Sequence, residues 1–172
     1  MTHRRLAALA ACAALDAHER AAGRVPAGYQ YRLPTEAEWE HCCGAGTASE
    51  WNVGAALTCA DANHLAATYC APSAITQGQA TVVGSHPPNG FGLRDLHGNA
   101  WEWCLDAWDG SANYPAGAEV DPLGQSGVHR VLRGGAYNST AALCRSAARA
   151  HVLPTYGFMG SGLRVVLGPV LP

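Results

Sequence analysis

Apolar positions along this chain change period several times and never hold one for long. In RRLAALAACAALDAHERAAG, Leu6, Leu9 and Ala13 recur at the spacing of one helix face, and Gly23 stands where such a helix would stop. Two arginines ahead of a short Ala/Leu run also give this stretch the look of a signal peptide. The pattern runs on into the charged DAHER without breaking at a cleavage site, so a helix is the expectation. In RLPTEAEWEHC, Thr35 and Glu38 supply the two halves of a capping box and Glu36 adds negative charge to the first turn. A helix should begin at Thr35 with Trp39 on its inner face. Residues 44–80 are rich in Gly, Ala and Thr with no sustained period, and read as surface loop pinned by Trp51 and two cysteines. TVVGS reads as a short strand, PPNGFG as a turn, and RVLRGG and LRVVLGPVL as strands bounded by glycines. The sum is an α+β fold: one small sheet, one or two helices, and irregular chain in the majority.

Composition narrows this. With 172 residues and 48% hydrophobic content the chain suffices for one domain with a real core. Charged residues make up 14%, below the roughly 25% of ordinary soluble domains, and the eleven basic residues are all arginine. A net charge of −2 leaves no electrostatic footprint for nucleic acid, and no apolar run is long enough to span a bilayer. No phosphate loop, GxSxG or HExxH motif occurs, and no histidines pair as an obvious iron site.

Seven cysteines remain, none in a CxxC pattern. Cys59 and Cys70 flank a short polar loop with little else to hold it, where a disulfide would be worth about 2–3 kcal/mol. Cys42 and Cys43 are adjacent and do not bridge each other readily. Cys104 and Cys144 could face one another, or each cysteine could serve as a small buried hydrophobe. The number of cysteines leans the expected compartment towards an oxidising, extracytoplasmic one.

The blocks YRLPTEAEWE, PPNGFGLRDLHGNAWEW, RVLRGG, CRSAAR and GLRVVL, in that order, resemble the formylglycine-generating enzyme family, the sulfatase-modifying factor domain. The resemblance covers nearly the whole chain and places it in the last two thirds of the family domain. It implies a C-type-lectin-like α+β fold, loop-rich, with little regular secondary structure. It also implies a structural calcium held by the side chains of Asp95 and Glu102 and the backbone oxygens of Gly98 and Ala100, a hard-oxygen set of the kind calcium takes. The competing reading is that Glu102 accepts backbone hydrogen bonds in a buried turn. A second family calcium would match Asn63 and His64, but its other ligands fall in a diverged loop and it is not expected.

The family's oxidases act through two cysteines that follow the GGS turn and bind copper as thiolates. In VLRGGAYNSTAALCRSAAR, Ser139 falls on the first of these positions and Cys144 on the second when counted from Gly135. Counted back from Arg149 the segment is three residues short and Cys144 slips off its position. Ala136 replaces the serine of GGS. No copper is expected, and Cys144 reads as a structural or disulfide cysteine. Residues 136–161, the place of a lectin-like binding face, carry Tyr137, Ser139, Leu143, His151, Tyr156, Phe158 and Met159 among small residues. The expected function is a non-catalytic binding or structural module whose ligand or protein partner the sequence does not name. The alternatives are an active oxidase or oxygenase of the family, and a ligand-binding variable protein of the kind diversified by retroelements.

Overall fold

The computed structural model describes residues 4–66, 70, 78–111, 119–157 and 160–171. Helix α1 spans Arg4–Ala21, and Gly23 follows it with a φ of 70°. Its inward face differs from the expected one. Ala8 and Cys12, one turn apart, are buried with Leu9 packed beside them, whereas Leu6 is 59% exposed and Ala13 also faces solvent. The helix lies in the cluster that holds Leu33, Trp101 and Trp103, where small side chains permit close approach.

Strand β1 (Tyr29–Arg32) leads into α2 (Glu36–Gly44), which starts as the sequence predicts. Thr35 Oγ1 accepts the Glu38 N–H at 3.2 Å, and the Glu38 carboxylate accepts the Thr35 N–H at 2.8 Å. Arg32 grips the same carboxylate through two contacts of 2.7 Å, tying the cap to β1. Burial pushes the Glu38 carboxyl up, but Arg32 and the Thr35 N–H outweigh it and leave it lowered. Trp39 points inward and is fully covered.

The main sheet has strand order β4-β3-β2-β5, from β2 (Trp101–Trp108), β3 (His129–Arg133), β4 (Arg149–Val152) and β5 (Ser161–Gly162). All neighbours are antiparallel except β2 and β5, and the β2–β3 register slips between Trp103 and Ala107. A second, two-stranded sheet pairs β1 with β6 (Val166–Pro169). RVLRGG is thus a strand, as expected, and LRVVLGPVL supplies one over its central residues. PPNGFG turns through a Gly92 N–H bond to Asn89 O.

TVVGS is a correction. It forms no strand, and Val82 and Val83 are 80% and 81% exposed. Side chains take the amides a neighbouring strand would have taken: Thr81 N–H donates to Asn99 Oδ1 and Gly84 N–H to Asp95 Oδ2. The loop from residue 45 is pinned as predicted, by buried Trp51 and by a Cys59–Cys70 disulfide with a Cα separation of 4.9 Å. Among the described residues no helix is long and apolar enough to cross a membrane.

Candidate functional site

The segment from Gly134 to Arg149 leaves the end of β3 through two left-handed glycines, with φ of 96° and 77°. The second must be glycine, since a Cβ on Gly135 would stand 2.5 Å from Cys144 Sγ. Ser139 builds this turn from inside. Its Oγ accepts the Ala136 N–H at 3.0 Å, its N–H donates to Ala136 O, and its carbonyl accepts the Leu65 N–H at 2.8 Å. A short 3₁₀ turn (Ala141–Cys144) then delivers Cys144 to the interior, where it is 0% exposed. Burial, and next the charge of a Cys43 thiolate, push the Cys144 thiol up to about 12.

No base is positioned to relieve that. His97 Nδ1 lies 2.7 Å from Cys144 O and Nε2 accepts the Asn52 N–H at 3.1 Å, which assigns the proton to Nδ1 and uses both ring nitrogens. Burial lowers the His97 pKa, against the Cys144 carbonyl and the charge of Asp61, which raise it. Cys43 Sγ, 3.7 Å from Nδ1 and 3.5 Å from Ser146 Oγ, is likewise buried and pushed up to about 12.

What fixes the path of the segment is a buried arginine. Arg133, 0% exposed at the end of β3, donates to Ala148 O at 2.7 Å and Ser146 O at 2.9 Å and pairs with Glu40. Glu36 lies 3.6 Å from Arg133 Nε and is held in a fork by Arg149 Nε and Nη2 at 2.7 and 2.6 Å. Residues 146–149 are therefore clamped onto α2. Beside this clamp opens a cleft of about 1080 Å³, with Glu40, Glu50, Asp106 and Arg145 on its walls. Burial raises the Asp106 carboxyl, against backbone hydrogen bonds, those of Gly124 and Glu36 foremost, that lower it.

The residues expected to form a binding face are spread out. Tyr137 is half-buried next to Gly160, Leu143 and Tyr156 are exposed, and Ser139 faces inward. His151 sits on the edge strand β4, stacked on Trp108 at 4.7 Å and edge-on to His129 at 5.1 Å. Phe158 and Met159 lie outside the described residues.

The four residues of the calcium expectation lie on one loop and the start of β2. Asp95, Gly98 and Asn99 all have positive φ, and a Cβ on Gly98 would meet Asn63 O at 2.2 Å. Asp95, Ala100 and Glu102 line a common cleft of about 490 Å³, and Asp95 Oδ1 is buried with no hydrogen bond, facing His86 Nδ1 at 3.5 Å. Glu102 is more engaged than the sequence indicated. Arg164 Nε and Nη2 fork its two oxygens at 2.8 Å and Trp39 Nε1 donates to Oε2 at 2.7 Å. A carboxylate has about four acceptor sites, so Oε1 keeps one free. Among the described residues no three His, Cys, Asp or Glu side chains converge as a metal cluster. A cation here would draw on Asp95, one oxygen of Glu102 and backbone oxygens. Asn63 and His64 are both buried; Asn63 Nδ2 donates to Gln79 O and Asn99 Oδ1, and His64 Nδ1 faces Ala62 O and Cys70 Sγ.

Sequence reasoning missed the Arg133–Glu36–Arg149 and Arg164–Glu102–Trp39 networks. Their one local sign is a set of arginines inside otherwise apolar blocks, RVLRGG and GLRVVL.

Fold and segment together define a loop-rich α+β scaffold in which a glycine-turned segment after β3 is folded back onto α2. The chain belongs to the sulfatase-modifying factor enzyme 1-like domain family, whose model matches residues 8–168. It is 39% identical over 136 residues to the serine/threonine-protein kinase pkn1 of Chlamydia pneumoniae, covering 74% of this chain and 20% of that protein. It is 34% identical over 144 residues to the formylglycine-generating enzyme of Bos taurus, covering 77% of this chain and 38% of the enzyme. Among solved structures, Treponema denticola variable protein 1 superposes with a TM-score of 0.65 at 31% identity, over 81% of this chain and 48% of that one. The chain thus spans less than half the length of each of these relatives.

Proposed function

We propose that this chain is a non-catalytic binding or structural module of its family. The observation that carries the reading is the placement of sulfur at the segment where the oxidases hold copper. Soft Cu(I) requires two accessible thiolates. Here one position is a serine whose hydroxyl is committed to a turn, and the other is a thiol with no solvent exposure and a pKa about 12. Purified protein incubated with Cu(I), reductant, oxygen and a CxPxR peptide should yield no aldehyde above a protein-free control by mass spectrometry. Ser139→Cys should be equally inactive, because Cys144 stays buried. Aldehyde product from either protein would restore the oxidase reading.

A second reading, ligand binding by residues 136–161, draws on the likeness to a protein called variable protein 1. The exposed Leu143 and Tyr156 and the cleft beside Arg145 suit it.

Calcium belongs to the same proposal as a structural ion at Asp95, Glu102, Gly98 and Ala100. Asp95 Oδ1, buried without a hydrogen bond and with only His86 Nδ1 near it at 3.5 Å, supports it. Binding to the folded state alone should make the melting temperature fall when EDTA is added to calcium-loaded protein, and Asp95→Ala should remove that response. Glu102→Ala is the poorer probe, since it also strands Arg164 and Trp39. An EDTA-insensitive melt would dispose of the site.

A further inference from the structure

A cleft of about 430 Å³ opens where the first turn of α1 meets β1, β2, β3 and residues 123–125; it adjoins the cleft beside Arg145 through Ala107, Leu123, Gly124 and Gln125, and no residue of the 134–149 segment lines it. Arg5, Arg32 and Arg130 line it, with the amides of Gln30 and Gln125, and no aspartate or glutamate does. Arg32 is neutralised by Glu38. Arg5 and Arg130 are not. Arg5 Nη2 donates to Leu105 O at 3.2 Å and Arg130 Nη1 to Gly127 O and His129 O at 2.9 Å, all uncharged acceptors. All thirteen acidic residues of the chain lie among the described residues, so no undescribed side chain supplies the missing countercharge.

The arrangement is costly as it stands. Arg5 Nε is buried with no partner. Burial lowers the Arg5 pKa, and the charge of Arg130 lowers it further. Two like charges facing one partly desolvated hollow repel, and a guanidinium atom left unsatisfied forgoes a charge-assisted bond. A bound anion relieves both at once. We infer that this cleft binds the doubly negative head of a phosphomonoester between Arg5 and Arg130, with Gln30 and Gln125 donating at its sides. Two guanidinium groups match a charge near −2 better than the −1 of a carboxylate, and their forked donors suit phosphate oxygens. The apolar side chain of Leu105 in the lining suits a small organic body behind the head.

The test is a titration of the intact protein with phenyl phosphate, inorganic phosphate and benzoate, followed by calorimetry. Phenyl phosphate should bind at least about tenfold more tightly than benzoate, as expected for a second charge-assisted contact, with inorganic phosphate between them. Arg130→Gln should weaken phenyl phosphate by about tenfold or more. Arg5→Gln should do the same, and without ligand it should melt no lower than the wild type, because it removes an uncompensated charge. Arg24→Gln, which lines none of the three clefts and whose guanidinium pairs with Glu19, should leave binding unchanged. Equal affinity for phenyl phosphate and benzoate, no saturable binding up to about 10 mM, or an unaffected Arg130→Gln would overturn the site. Equal weakening by Arg24→Gln would overturn it too, as the mark of unspecific charge attraction. If Arg5→Gln does not fold, Arg130→Gln, at a half-exposed position, decides alone.

Discussion

The contact of α2 with the main sheet and the loop from Ala45 to Ser85 are held by opposite means. In the first, buried charge closes on itself: Arg133 reaches Glu36, Glu40 and two carbonyls, while Trp39 joins Glu102 and Arg164. In the second, among the described residues, there is no strand pair beyond isolated bridges, and the chain hangs on Trp51, Asn63, Asn99 and one disulfide. Where side chains from distant parts of the sequence can surround a polar group, the fold uses ion pairs inside a packed core. Where the sequence has no period and few large apolar residues, covalent closure replaces packing. Sulfur shows the contrast most directly, as an enclosed thiol in one region and a bridge in the other.

The sharpest way to break this comparison is to remove the charge at its centre. Arg133→Ala leaves Glu36 and Glu40 facing an emptied interior and strands the carbonyls of Ser146 and Ala148. Breaking one partner out of such a buried network costs about 3–5 kcal/mol. Urea unfolding should read this as a large drop in midpoint. A loss below about 1 kcal/mol would place the network among surface-grade ion pairs and undo the contrast.

The loop should respond less. Cys59→Ala with Cys70→Ala, or reduction of the wild type, should cost about 2–3 kcal/mol, the closure entropy of a loop this short. The melting temperature in the presence and absence of reductant measures it. No shift would mean that Trp51 and the asparagines hold the loop unaided.

These two regions also divide what the sequence could reveal. The capping box of α2 and the RVLRGG strand were legible because their determinants are local: a Thr–Glu spacing, and a β-branched run stopped by glycines. The loop disulfide was legible for want of any other anchor. Strand β2 was not, because WEWCLDAW is covered on nearly every residue and offers no alternation to read. TVVGS misled in the opposite direction, a β-branched run left in solvent because Asn99 and Asp95 take its amides. At the candidate site, the spacing of Ser139 and Cys144 announced a missing sulfur pair. That Arg149 forks Glu36 across 113 residues left no local trace.

The effect expected of the enclosed thiols is the smallest at neutral pH, because it appears only at high pH. A cysteine free of such surroundings titrates near 9.0, whereas Cys43 and Cys144 are pushed up to about 12, chiefly by burial. The folded protein therefore keeps protons that the unfolded chain has released. The stability this contributes is complete below pH 9 and falls as the pH rises from there towards 12. Unfolding midpoints measured across that interval should decline, and more shallowly in Cys144→Ala than in the wild type. Iodoacetamide at about pH 8.5 should label the half-buried Cys42 first and leave Cys144 untouched until the protein unfolds, because alkylation needs a thiolate within reach. Fast labelling of Cys144 in the folded protein would place that sulfur at the surface with a depressed pKa. The two regions would then no longer differ in their use of cysteine, and the segment after β3 would again have the reagent an oxidase needs.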